Sequence, residues 1–112
     1  MLGMTSQINR GIMFIRLEGE LTTHNFYKLS EEINYFLYNQ GILVYVFNLA
    51  KVTNLDKKLL GSIQNKLTEI FLKCGSVALC GISEKERKKL GERKEGLFYI
   101  TKEQEVFQYI SI

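Results

Sequence analysis

The stretch Asn48 to Phe71 most constrains the fold of this chain, because it joins the end of an apolar segment to an amphipathic helix pattern. The apolar segment, Ile42–Leu49, has the sequence ILVYVFNL, which is typical of a strand buried on both faces inside a helix-covered sheet. In the helix pattern, apolar residues three and four positions apart fall on one face: Leu59, Leu60, Ile63, Leu67, Ile70 and Phe71. Most of the polar residues are predicted to lie on the opposite face: Lys57, Lys58, Gln64, Asn65, Lys66, Glu69 and Lys73.

Polar residues mark both ends of this helix. Thr53 or Asn54 is predicted to cap its start, because a short polar side chain satisfies a free backbone N–H there. Asp56 suits the first turn, where a carboxylate meets the positive end of the helix dipole. Gly75 is a natural stop.

The rest of the chain alternates short apolar runs with helix patterns. Further strands are predicted at Thr5–Asn9, Ile12–Glu18, Ser76–Gly81 and Leu97–Ile100. Further helices are predicted from Thr22 or Thr23 to about Asn39 and from Ser83 to about Glu92, and a C-terminal helix is predicted to follow Thr101 and to finish with Val106–Ile110. Ser83 with Glu86, and Thr101 with Gln104, have the form of capping boxes. Strands alternating with helices imply right-handed crossovers and parallel pairing, so the sequence predicts an α/β fold.

Size and charge restrict the class of protein. The 112 residues are enough for one domain with a single core. A net charge of +3 without a basic stripe does not indicate a nucleic-acid partner. The sequence has neither an apolar run long enough to insert into a membrane nor a secretory signal. These features predict a cytoplasmic protein.

The sequence contains no constellation of residues typical of catalysis. His24 is the only histidine, and no nucleophile or orienting acid is evident beside it, so a surface or capping role is the better interpretation. Cys74 and Cys80 lack further ligands at metal-binding spacing, which favours two reduced structural thiols. Gly61 stands alone within its helix, so no phosphate-binding loop is present. We therefore expect no enzyme activity, metal or cofactor.

Five segments in order along the chain resemble the STAS domain, the sulfate-transporter and anti-sigma-factor-antagonist fold: Ile15–Thr22, Val46–Asp56, Leu59–Ile63, Val77–Ser83 and Gly96–Phe98. The resemblance covers nearly the whole chain and implies a single domain over residues 1–112. It also implies a mixed sheet of four or five strands, with helices packed largely on one side.

The resemblance implies a regulatory, protein-binding function. In bacterial single-domain members of the family, the partner is an anti-sigma factor that is also a serine kinase. The kinase phosphorylates a serine in an Asp-Ser-Ser-Gly motif at the start of the second helix. Here Asp56 matches the acid, but Lys57 and Lys58 replace the serines and Leu59 replaces the glycine. Lys58 stands at the acceptor position, so we expect no phosphorylation there.

The predicted partner-binding residues come from the first helix start and from the junction before the second helix. They are Thr22, Thr23, His24, Asn25, Thr53, Asn54, Asp56, Lys57, Lys58, Leu59 and Ser62. The two lysines favour an acidic partner surface. Two alternatives remain open at this point. One is a sensor of anions or nucleotides, because a helix start with two lysines attracts phosphates and carboxylates. The other is an accessory subunit of a transport or signalling complex.

Overall fold

Five strands form one mixed sheet in which each strand lies beside the next one along the chain. The computed structural model describes residues 2–53, 57–73, 75–89 and 97–109. Strands β1 and β2 form an antiparallel hairpin, and β2 to β5 pair in parallel, which confirms the predicted sheet. Their bounds are β1 Leu2–Asn9, β2 Ile12–Glu20, β3 Val44–Thr53, β4 Ser76–Cys80 and β5 Leu97–Ile100.

The long helices cover one face of the sheet, as predicted. Helix α1 (Thr23–Asn34) continues into a π-helical segment, Tyr35–Asn39, and α2 spans Lys57–Leu72. The short elements are α3 (Glu84–Lys89) and a 3-10 turn (Glu103–Glu105) that leads into α4 (Val106–Tyr109). Within the described ranges, no helix is long and apolar enough to cross a membrane.

Alternating side chains divide the core into two layers. The larger layer joins β2, β3 and β4 to α1 and α2 through residues such as Met13, Ile15, Tyr45, Phe47, Leu29, Ile33, Ile63 and Ile70. The smaller layer, on the other face, packs the strands against α4 through residues such as Ile12, Phe14, Val46, Ala78, Ile100 and Val106. The central strands are therefore buried on both faces, as the apolar run in β3 predicted.

The prediction that Lys66 lies on the solvent-facing side of α2 is wrong. Its side chain is only 5% exposed, because it points toward α1 and not into solvent. Its ammonium group donates a hydrogen bond to the Asn34 side chain and lies 3.4 Å from a carboxylate oxygen of Glu69. A buried charge of this kind is tolerated because hydrogen-bonding and charged partners replace the lost water.

Two predicted capping boxes had different outcomes. At Ser83 the prediction is confirmed, because the Glu86 backbone N–H donates to the Ser83 hydroxyl and the Ser83 N–H donates to the Glu86 carboxylate. The box from Thr101 to Gln104 is wrong. The 3-10 turn begins after Lys102, and the Thr101 N–H donates instead to the carboxylate of Glu105. Cys80 is a buried free thiol, whereas Cys74 and the predicted helix end near Glu92 lie outside the described residues.

An ion pair ties the C-terminal turn to the second face of the sheet. The Arg16 guanidinium donates to both carboxylate oxygens of Glu103, at 2.7 Å and 2.9 Å. The Asn48 side-chain amide donates to the same carboxylate at 3.0 Å. These contacts join β2 and β3 to a segment more than fifty residues further along the chain.

Candidate protein-binding surface

The parallel strands bring the two predicted binding segments together at one edge of the sheet. Strands β2 and β3 are parallel, and Glu20 at the end of β2 lies beside Thr53 at the end of β3. The Thr53 hydroxyl donates a hydrogen bond to the Gly19 carbonyl at 3.2 Å. The starts of α1 and α2 follow these strand ends, so both helices begin at this carboxyl-end edge.

A hydrogen-bonded cap fixes the start of α1. Thr22 has an extended backbone, and its hydroxyl accepts a hydrogen bond from the Asn25 N–H at 3.1 Å. The Asn25 side chain donates in turn to the Glu20 carbonyl at 3.0 Å. Thr22 and Asn25 therefore hold the backbone in place, whereas Thr23 and His24 are exposed to solvent.

The start of α2 is only partly available to a partner. Lys58 is exposed, and Ser62 is half-buried with its hydroxyl donating to the Lys58 carbonyl at 3.3 Å. Leu59 corrects the prediction, because its side chain is 2% exposed and packs in the core. It follows that Leu59 supports the helix from inside and offers no surface to a partner.

Four of the predicted residues lie at the junction before α2. Thr53 is exposed and ends β3. Because residues 54–56 lie outside the described ranges, the capping of α2 by Thr53 or Asn54 stays a prediction. Asn54, Asp56 and the side chain of Lys57 lie outside the described residues. The carboxyl-end surface, as we use the term, comprises Thr22–Asn25, Thr53, Lys58 and Ser62.

The same edge of the sheet holds a cavity that the sequence did not predict. A cavity of about 230 Å³ lies between β4, β5 and α3, and its lining includes Gly81, Arg87, Tyr99 and Thr101. The Arg87 guanidinium lies 4.3 Å from the centre of the Tyr99 ring. Burial raises the pKa of Tyr99, and the neighbouring Arg87 charge opposes that shift.

The sequence signal for this cavity was ambiguous. Arg87 belongs to a run of mixed charges that is typical of a solvated helix face. In the structure Arg87 contacts Tyr99, twelve positions further on, and its guanidinium also lies 3.7 Å from a carboxylate oxygen of Glu84, which lines the same cavity.

The side chains of the carboxyl-end surface are mostly uncharged polar groups. His24, the only histidine, is solvent-exposed at the start of α1. Among the described residues, no group of three or more histidine, cysteine or acidic side chains could hold a metal ion. The surface instead presents polar groups and one described lysine at two helix starts, and such groups are suited to hydrogen bonding and charge pairing.

Comparison with solved structures finds the same fold in anti-sigma factor antagonists. The antagonist SpoIIAA in its unphosphorylated form superposes with a TM-score of 0.78 at 18% identity, over 98% of this chain and 100% of that one. The Bacillus cell fate determinant SpoIIAA in its phosphorylated form gives 0.73 at 19% identity, over 96% of this chain and 100% of that one. A Thermotoga maritima protein, provisionally described as an anti-sigma factor antagonist, gives 0.79 at 22% identity, over 97% of this chain and 95% of that one.

The family itself is established by sequence. The family model described as the STAS domain matches residues 4–106, which include all five strands apart from the first two positions of β1, and both long helices. The chain therefore belongs to the STAS domain family, and its fold is that of the anti-sigma factor antagonists.

Proposed function

We propose that this STAS domain is a non-enzymatic, cytoplasmic regulatory protein that binds a protein partner through the carboxyl-end surface. The observation that carries the proposal is the exposure of Thr23, His24 and Lys58 on two adjacent helix starts. The Thr22 cap holds the backbone at the start of α1, and Lys58 lies in the first turn of α2. A surface that is ordered before binding loses less conformational entropy when a partner docks.

The partner that fits best is an anti-sigma factor kinase or a related signalling protein. The support is the fold shared with anti-sigma factor antagonists, which by their name oppose anti-sigma factors. Lys58 contributes a positive charge at the tip of α2, which favours an acidic patch on the partner. Lys57 directly precedes Lys58 in the sequence and adds a second positive charge.

The partner complex is proposed to form without control by phosphorylation at the start of α2. One structural relative exists in a phosphorylated form. In this chain, Lys58 stands at the position where the resemblance places the acceptor serine. A lysine has no hydroxyl group to accept a phosphoryl group from a serine kinase. The nearest hydroxyl on α2, that of Ser62, is already hydrogen-bonded to the Lys58 carbonyl.

A kinase assay tests the loss of the switch. The chain is incubated with an anti-sigma factor kinase from the same organism and ATP, and the 57–62 segment is analysed by mass spectrometry. We expect no phosphate there. Stoichiometric phosphate on Ser62 would contradict the proposal, and a Ser62→Ala variant would locate the modification.

Charge reversal tests the docking surface. Lys58→Glu should weaken binding of the kinase about tenfold, because a favourable charge contact becomes a repulsive one. Lys73→Glu is the matched control, since it makes the same change just beyond the other end of α2. Equal affinities for the wild type and Lys58→Glu would show that the partner does not contact this surface.

A second candidate function is the sensing of an anion or nucleotide. The cavity beside Arg87 and Tyr99 favours it, because an exposed guanidinium stacked on an aromatic ring is suited to a phosphate or carboxylate. Calorimetry with nucleotides and simple anions tests this function directly, with Arg87→Gln as the variant that should abolish any heat of binding. If none of these compounds gives a heat of binding, the sensing function is excluded.

A further inference from the structure

The outer edge of β1 is an open backbone edge. Among the described strands, β1 lies at one end of the order and pairs with β2 alone. Its pairing runs without a register shift from Leu2 opposite Gly19 to Asn9 opposite Ile12. On the opposite side of β1, the N–H and C=O of every second residue point away from the sheet, and no strand in the described part of the chain pairs with them.

This edge lacks the usual features that prevent strand pairing. Proteins protect exposed edges with short strands, charged residues, prolines or bulges. The eight residues Leu2–Asn9 include no charged residue and no proline, and the pairing with β2 shows no bulge. The other edge strand, β5, has four residues, and the Arg87 side chain of α3 lies over its Tyr99 ring.

An exposed apolar side chain lies on the same strand. Ile8 is 51% exposed, although it shares a face of β1 with Met4, which packs against the larger core layer. A strand that paired with β1 would place a second side chain beside Ile8 and reduce its exposure.

We propose that β1 pairs in antiparallel fashion with β1 of a second copy of this chain, which makes a continuous ten-stranded sheet. A residue of a strand directs its N–H and C=O to one edge, and the next residue directs them to the other. Two copies of one strand can therefore face each other only at positions of the same parity. Pairing centred on Ser6 meets this condition. It places Met4 of each copy opposite Ile8 of the other copy.

Charge supports a second copy as the occupant. The facing positions from 3 to 9 are all uncharged, so no like charges face each other across the two strands. Arg10, just beyond β1, comes opposite position 2 of the second copy. The two Arg10 positions are then eight residues apart along the strands, roughly 27 Å, which exceeds the Debye length of about 8 Å at physiological salt.

The dimer is expected to be weak and reversible. A pair of seven-residue strands buries less than the roughly 1,200 Å² of a standard interface, so the dissociation constant should lie in the micromolar to millimolar range. Antiparallel pairing also directs the two carboxyl-end surfaces in opposite directions. Both surfaces then stay free to bind partners, which makes the dimer independent of the proposed function.

Sedimentation equilibrium over a wide concentration range tests the dimer. Wild-type chain should shift from monomer to dimer as the concentration rises. Ser6→Glu should raise the dissociation constant by about tenfold or more, because two carboxylates would face each other on the symmetry axis. Ser6→Gln is the matched neutral control and should stay within about threefold of the wild type.

Disulfide cross-linking tests the register. Under mild oxidation Ser6→Cys should cross-link between two copies, because facing strand positions have Cα atoms within disulfide range. Thr5→Cys should not exceed the wild-type background, since Thr5 faces Gln7 of the second copy. Cross-linking of Thr5→Cys in preference to Ser6→Cys would overturn the register.

Other outcomes would overturn the dimer itself. A wild-type chain that stays monomeric at millimolar concentration would refute it, as would equal dimerisation of Ser6→Glu and Ser6→Gln. A monomeric wild type that binds an added strand-forming peptide along β1 would assign the edge to a different protein. Circular dichroism should confirm that each variant is folded.

Discussion

At the scale of single residues, the hydroxyl of Tyr45 is an unfavourable group in the core. The side chain is fully buried in β3, and among the described residues its hydroxyl has no hydrogen-bond partner. Burial raises the pKa of Tyr45 to about 12. A buried hydroxyl without a partner loses its hydration and gains nothing in return.

Removing that hydroxyl should stabilise the protein. We expect Tyr45→Phe to raise the free energy of unfolding by about 1 kcal/mol, because the ring contacts remain and the unpaired hydroxyl is gone. Tyr38→Phe is the control, since its exposed hydroxyl donates to Glu69 at 2.9 Å and its removal should destabilise slightly. Urea unfolding of both variants measures the difference. A destabilised Tyr45→Phe would mean that the hydroxyl has a favourable contact.

The ion pair between Arg16 and Glu103 should make stability depend on pH. Hydrogen bonds from the Arg16 guanidinium hold the pKa of Glu103 below its ordinary value. A carboxylate of this kind stabilises the fold above the pKa of the unfolded chain, and the effect is lost as the pH falls through the folded-state pKa. Glu103→Gln should therefore reduce the unfolding free energy by about 1 kcal/mol at pH 7 and by less in acid.

Unfolding curves from pH 7 down to pH 3 measure this dependence. The gap between the wild type and Glu103→Gln should begin to narrow near pH 4, the ordinary pKa of a glutamate, and should close as the pH falls through the lower pKa of Glu103 in the folded chain. Glu18→Gln, a change at an exposed position of β2, is the control. A gap that stays constant across the range would show that the glutamine change acts through packing and not through charge.

At the scale of elements, the close approach of β3 and β4 depends on Gly81. Its φ is +81°, and a side-chain carbon there would lie 2.5 Å from the backbone nitrogen of Ala50. Both the backbone conformation and the contact exclude a larger residue. The register shift between β2 and β3 occurs in this same part of β3, next to the carboxyl-end edge.

A pair of alanine substitutions tests this contact. Gly81→Ala should lower the unfolding free energy by about 2 kcal/mol or more, because the backbone would be strained and Ala50 would have to move. Gly61→Ala, within α2 and with nothing within 4 Å, should instead stabilise by about 0.5–1 kcal/mol. Thermal unfolding compares the two. Similar effects of both changes would argue against a tight β3–β4 contact.

Local patterns predicted the elements well where the signal lies within a few residues. The bounds of β5 and the Ser83 capping box depend only on neighbouring residues, and both are confirmed. Lys66 was misplaced because the polar and apolar faces of α2 depend on where α1 packs, which periodicity does not show. The sequence predicted Leu59 both on the apolar face of α2 and in the binding site. In the structure its side chain is buried in the core.

At the scale of the whole molecule, the parallel topology creates the candidate site. Three connections from strand to helix end at the same edge, so segments distant in sequence become neighbours there. The sequence could predict this gathering from the alternation of strands and helices. It could not predict the cavity beside Tyr99 or the pairing of Arg16 with Glu103, because no local pattern links residues that far apart.

Amide chemical shifts of the labelled chain, recorded while an anti-sigma factor kinase from the same organism is added, test the central claim most directly. The account predicts that the largest shift changes occur at Thr23, His24, Thr53, Lys58 and Ser62, with or without ATP. Shift changes confined to β1, β5 and α4, with the carboxyl-end surface unaffected, would contradict it.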